Sequence, residues 1–214
     1  MFRALISNLF DFLYPKDTSV ISLESLKPEE LLTKLTPAKS LSNDTFAIWN
    51  YADEKVRTII WEIKYRRNEV LLKNVGQVLY DTVSSEVLER MVTENFVRPL
   101  LLPIPISKRR RLERGYNQTE LFCKVMKKID TENLFEYSPN ALRRVIHTES
   151  QARTKNKKER ITNMQNTIEA NESTKDRNII LIDDVTTTGA TLGDARRALR
   201  ESGAKRIICF ALAH

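Results

Sequence analysis

The 214-residue chain holds two cysteines, two histidines and five glycines, and no apolar run near the ~20 residues that cross a membrane. Cys123 and Cys209 stand alone, which excludes a disulfide framework and any Cys/His zinc spacing. Both lie in apolar runs and read as small core residues. His147 is isolated in a basic stretch and reads as exposed and non-catalytic. Met1–Tyr14 is apolar but broken by Arg3, Asn8 and Asp11, so it lacks a signal-peptide core and a small-residue cleavage site. Phe2, Leu5, Ile6, Leu9 and Leu13 fall at helical spacing and predict a docked amphipathic helix ending at Pro15. Its polar face carries one cation, which argues against a membrane-surface helix. The expectation is a cytoplasmic protein with no membrane insertion.

What is present is uneven. Hydrophobic residues make up 41% and charged residues 29%, enough for an independent core. The net charge of +7 is a local feature. Residues 108–160 hold 15 Lys/Arg and 7 Asp/Glu, a net +8; the remainder holds 20 and 21, a net −1. A basic segment of this kind suggests an anionic ligand.

Residues 16–44 are rich in Ser, Thr, Lys and Pro and read as a linker or loosely packed arm with a short helix at Pro28–Leu35. Thr45–Tyr51 reads as a strand. Asp53 caps a helix through Arg66. A second helix is expected from Glu69 to Asp81, and another to about Thr93. The period then changes: Val97–Ile106 reads as a buried parallel strand leading into a basic loop, Ser107–Gly115. A helix at 117–129, weakly patterned residues 139–165 with helix near 155–163, and a strand at Asn178–Ile182 follow. A helix at 190–202, stopped by Gly203, and a strand at 206–212 close the chain. Strand–helix–strand alternation predicts α/β architecture with a parallel sheet flanked by helices. We divide the chain into an N-terminal helical arm and hood (1–95) and an α/β core (96–214).

The most informative stretch is Ile179–Thr191, IILIDDVTTTGAT. Ligands of open α/β sheets bind beyond the carboxyl ends of strands, where Asp183 and Asp184 fall. Gly189 permits close backbone approach. The helix start beyond it offers unpaired N–H groups and a positive dipole end. Thr187, Thr188 and Thr191 add hydroxyl donors. The carboxylates repel a phosphate; they suit vicinal hydroxyls or a Mg²⁺ complex. Each element alone is ordinary, as capping acids and a Thr-rich turn. Phosphate on one side and diol on the other together describe a ribose 5-phosphate.

The stretch resembles the phosphoribosyl diphosphate (PRPP) signature of type I phosphoribosyltransferases, apolar strand, Asp-Asp, then Thr-Thr-Gly-x-Thr. The likeness extends to the competence protein F (ComF) family. Its Pro-x-Pro strand end is matched by Pro103-Ile104-Pro105, and its Arg-Gly-Tyr-Asn-Gln element by Arg114–Gln118. Leu142, Arg144, Thr148, Gln151, Arg160 and Asn163 match further positions, as do WEIKYR (Trp61–Arg66) and NLFDFLYP (Asn8–Pro15). Many members carry a Cys-rich zinc knot after the opening helix; this chain has no Cys before 123, so no zinc is expected and residues 16–44 stand in the knot's place.

The resemblance implies the type I phosphoribosyltransferase fold. It implies PRPP or another sugar phosphate bound with Mg²⁺, and phosphoribosyl transfer with release of pyrophosphate. Asp183, Asp184, Thr187, Thr188, Gly189, Ala190 and Thr191 would hold the ribose phosphate. Pro105, Ile106, Ser107 and Lys108, with Arg109, would form the pyrophosphate loop. Residues 143–160 would close over the site. Arg114, Arg144, Lys158 and Arg160 are candidate anion contacts, and Asp183, Asp184, Lys158 and Arg160 the candidate catalytic set. Cations aimed at a departing pyrophosphate are the expected catalytic device. The alternative is a non-catalytic DNA-uptake factor handling single-stranded DNA. Arg109–Arg111 would be its phosphate patch, and Tyr116, Phe122, Phe135 and Tyr137 its stacking aromatics, although Phe122 also reads as core. Tyr65 lines the site or covers a helix end.

Overall fold

The computed structural model describes residues 17–145 and 167–214. The helix expected at 1–14 and the one at 155–163 lie outside the described residues, as do His147, Thr148, Gln151, Lys158, Arg160 and Asn163.

Three apolar runs form strands buried over most of their length, and a half-buried edge strand and a two-residue strand extend the sheet. The strands are β1 (Thr45–Trp49), β2 (Leu100–Pro103), β3 (Glu136–Tyr137), β6 (Asn178–Val185) and β7 (Arg206–Ala213). They make one sheet in the order β1-β7-β6-β2-β3, with every neighbouring pair parallel. Side-chain alternation divides the sheet's two faces. Ile180, Ile182, Ile208, Phe210 and Leu101 face one apolar cluster. Ile179, Leu181, Leu100, Leu102 and Cys209 face the other.

The first face is covered by the N-terminal helices and by α6 (Gln118–Ile129). The N-terminal helices are α1 (Thr18–Glu24), α2 (Pro28–Lys34), α3 (Glu54–Trp61) and α4 (Glu69–Glu94). The second face is covered by α7 (Ala190–Glu201) and by a separate antiparallel pair, β4 (Leu142–Arg144) with β5 (Ile168–Ala170). Asp194 of α7 pins that pair: its Oδ2 accepts from the Thr167 and Ile168 amides at 2.8 and 3.1 Å. Cys123, Cys209 and Phe122 are buried, as their apolar surroundings in the sequence predict.

Several expectations give way to the structure. Residues 17–44 are not a loose arm, because Val20, Leu23, Leu31 and Leu35 are buried. The two helices expected on either side of Asp81 are one, α4. Thr82 and Ser84 look like helix breakers, but their hydroxyls donate back to the Val78 and Asp81 carbonyls, so the polar pair is absorbed into the helix. The basic loop 107–115 is largely a two-turn helix, α5 (Lys108–Arg114), capped by Ser107 and closed by Gly115 at φ 77°. A salt bridge of 2.7 Å between Arg109 and Glu113, one turn apart, supports it. The stretches divided at 95/96 meet in one sheet, since β1 is its edge beside β7.

Candidate functional site

The site forms where β6 and β2 end. β6 runs past the apolar run and carries both acids to its carboxyl end, with Asp183 in register with Ala211 of β7. The Ile104 amide donates to the Ile182 carbonyl at 2.9 Å, which sets Pro105, Ile106 and Ser107 beside the acidic pair. Beyond Thr186, whose amide donates to Ala213, the chain turns through Thr187 and Thr188 to Gly189. Gly189 has φ 73° and is the N-cap of α7; a Cβ there would meet nothing within 4 Å, so the backbone lies open to a ligand. The Ala190 amide donates to Thr188 Oγ1 at 3.4 Å, and Thr191 is half-buried in the first turn of α7.

The two carboxyls have different surroundings. Asp183 is 7% exposed, and its Oδ1 accepts from the Asp184 amide at 2.8 Å. Burial, then the neighbouring Asp184 charge, pushes its carboxyl up to about 7. Asp184 Oδ1 accepts from the Val185 amide at 2.7 Å. Its Oδ2 pairs with Lys64 Nζ at 2.8 Å and accepts from Gln118 Nε2 at 3.4 Å. Arg144, at the end of β4, is half-buried and close enough to feel Asp183, Asp194 and Arg110. Burial and the Arg110 charge hold its guanidinium below the ordinary value, while the two carboxylates oppose them.

The Arg-Gly-Tyr-Asn-Gln element works as a staple. Arg114 lies over the Tyr65 ring, 5.1 Å from its centroid. Gly115 ends α5, and the Tyr116 hydroxyl donates to the Ile63 carbonyl at 2.7 Å. Asn117 caps α6 and donates to the Ile104 carbonyl at 3.0 Å, where Thr119 donates as well. Gln118 reaches Asp184. Five consecutive residues thus tie the end of β2, the acid and the helical layer together.

The structure brings Asp183, Asp184, Pro105–Ser107, Thr187–Thr191 and Arg144 to one end of the sheet. Lys108 and Arg110 are exposed on α5, and Arg114 sits on Tyr65 rather than on the acids. Lys158 and Arg160 lie outside the described residues. Arg109 and Arg111 are paired with Glu113 and Glu120. Phe135 and Phe122 are 2% and 1% exposed and offer no face for base stacking, and Tyr137 is half-buried with its hydroxyl inside. Tyr65 lines a cleft of about 430 Å³ with Tyr51, Trp61 and Lys64. The sequence reading missed Lys64 and Gln118 as site residues. Both stand inside quoted motifs, which was the available signal, but neither motif says what its residues touch. Among the described residues no group of three or more His, Cys, Asp or Glu can hold a metal ion. Two adjacent carboxylates suit a metal that arrives on a diphosphate better than one held by protein alone. No helix among the described residues is long and apolar enough to cross a membrane.

Residues 135–214 match the phosphoribosyl transferase domain family. Competence protein F of Haemophilus influenzae is 29% identical over 79% of this chain and 72% of its own length. Competence protein ComFC of Bacillus subtilis is 31% identical over 67% of this chain and 65% of its own length. Among solved structures, a hypoxanthine phosphoribosyltransferase from Staphylococcus aureus aligns at 12% identity and TM-score 0.34, over 65% of this chain and 61% of that one. Domain match and relatives together support the competence protein F (ComF) family, within the phosphoribosyltransferase superfamily.

Proposed function

We propose that the chain binds PRPP, or another ribose 5-phosphate compound, at residues 183–191 and transfers its phosphoribosyl group with release of pyrophosphate. The observation that carries this reading is the sequence of groups at one strand end, two carboxylates followed by a helix N-terminus capped by an open glycine. The 5-phosphate would lie against the amides of the Thr187–Thr191 turn. The ribose hydroxyls would donate to Asp183 and Asp184. A Mg²⁺ ion carried on the diphosphate would neutralise the leaving group. Arg144, with Lys158 and Arg160 as further candidates, would meet the charge that gathers on the departing pyrophosphate.

A melting experiment tests this. PRPP with Mg²⁺ should stabilise the protein by about 3 kcal/mol at a hundredfold excess over Kd. That corresponds to a rise in melting temperature of roughly 5–10 °C for a chain of this size. The Asp183→Asn, Asp184→Asn double variant should show no rise. A wild-type protein whose melting is unmoved at about millimolar ligand removes the proposal.

The DNA reading is supported by the exposed Lys108 and Arg110 and by one relative's name. A relative from Escherichia coli, 24% identical over 72% of this chain, is called a DNA utilization protein. Single strands would then bind with steep salt dependence, weakened in a Lys108→Gln, Arg110→Gln variant. Salt-insensitive binding, or none, discards it.

A further inference from the structure

The wide π-turn Glu62–Arg66 follows α3 directly and carries Lys64 to the end of β6. Such turns insert an extra residue and re-aim a side chain, and they recur at functional sites. This one is held firmly. Arg67 closes it in the left-handed conformation, φ 51°, and lies over the Tyr116 ring; the Tyr116 hydroxyl grips the Ile63 carbonyl. Glu62 is buried beneath and pairs with Arg66. The result is an ammonium 2.8 Å from Asp184 Oδ2, with 18% of the lysine side chain and 19% of the aspartate exposed.

Asp184 thereby accepts from three donors of the protein itself. One oxygen takes the Val185 amide, and the other takes Lys64 and Gln118. Gln118 is itself 1% exposed, and its Oε1 has no hydrogen-bond partner among the described residues. A diphosphate-bound cation that meets Asp184 Oδ2 competes there with Lys64 and Gln118. The Gln118 amide is buried at the start of α6 and has little room. Lys64 stands on a flexible four-carbon stem and lines the cleft it shares with Tyr51, Trp61 and Tyr65, so it has somewhere to go.

We infer that Lys64 is a binding residue with two positions: in the free protein its ammonium holds the place of the ligand-borne cation on Asp184, and on binding it moves to an anionic oxygen of the ligand's diphosphate. The inference rests on the phosphoribosyl reading. Its electrostatic logic is an exchange. Two adjacent carboxylates need a cation, and Lys64 supplies one. A metal–diphosphate brings its own cation to the carboxylates and a new anion within reach of the lysine.

The exchange gives the Lys64→Met variant two effects of opposite sign. Mn²⁺ alone, followed by electron paramagnetic resonance, should bind at least about tenfold tighter than to wild type, because the carboxylate is released. PRPP with Mg²⁺, followed by calorimetry, should bind about tenfold more weakly, because an anion contact is lost. Lys64→Arg should keep Mn²⁺ binding at the wild-type level. Adding Asp184→Asn to Lys64→Met should cancel the Mn²⁺ gain. Mn²⁺ binding that is unchanged or weaker in Lys64→Met overturns the inference. PRPP binding that is unchanged or tighter also overturns it, since the lysine then only shields the acid. If PRPP binds neither wild type nor variant, the sugar-phosphate reading falls, and the Mn²⁺ measurement still decides what Lys64 does at Asp184.

Discussion

Asp183 sits at the end of β6 with 7% of its surface exposed, and its carboxyl is pushed up to about 7 from an ordinary 3.8. A folded state that keeps a proton the unfolded chain has lost becomes less stable as pH rises between those two values, and levels off above about 7. Asn at this position does not titrate. The stability of Asp183→Asn relative to wild type should therefore grow between about pH 4 and about pH 8, by an amount on the order of a few kcal/mol. Urea unfolding of both proteins at several pH values reads this directly, and a pH-independent difference would show that burial does not hold the proton. The acids and the threonine turn were legible in the sequence because they are contiguous, and one strand end delivers them together. Lys64 was not, since its role depends on a fold that brings it to Asp184 across most of the chain.

At the scale of elements, α4 and α6 approach closely at Gly76. A Cβ on Gly76 would come within 2.4 Å of Val125 Cγ1 and 2.9 Å of its Cβ. Valine is stiff at χ1 and cannot swing aside cheaply. Gly76→Ala adds helix propensity worth about 1 kcal/mol, yet overpacking costs about 1–3 kcal/mol. A net loss of about 1 kcal/mol is expected, read as a melting point lower by a few degrees. If the Val125 methyl groups are the main cause, Gly76→Ala should cost less in a Val125→Ala background, which removes Cγ1 but keeps the Cβ at 2.9 Å; an equal cost in both backgrounds places the strain elsewhere. This same helix shows what local reading misses. The Thr82–Ser85 stretch looks like a break, and only the long apolar face below it, with Val75, Val78, Leu79, Val83 and Val87 all buried, keeps one helix running through. Likewise 108–114 has no buried side chain and so no apolar period; its helix comes from a cap, an ion pair and a glycine stop.

For the whole molecule, the order β1-β7-β6-β2-β3 has a mechanical consequence. β1 comes from the N-terminal stretch but pairs with β7, the last strand, and its Trp49 is 1% exposed. Leu31, Leu35, Ile59, Leu71 and Leu79 share one apolar cluster with Ile180, Ile182 and Phe210. Removing the helical layer would leave that face of the sheet exposed to water, at roughly 25 cal/mol for each Å² of apolar area. The two stretches on either side of 95/96 should therefore unfold as one cooperative unit. Trp49 gives the experiment its local probe, since its fluorescence reports the edge strand, whereas far-ultraviolet circular dichroism reports chiefly the helices. Urea transitions followed by the two signals should coincide, with Trp61→Phe used to silence the exposed tryptophan. Separate midpoints would mean that the helical layer and the sheet are independent. Lys64 would then sit on a part able to leave the acids without unfolding them, and its pairing with Asp184 would be set by the docking of that layer rather than by the π-turn alone.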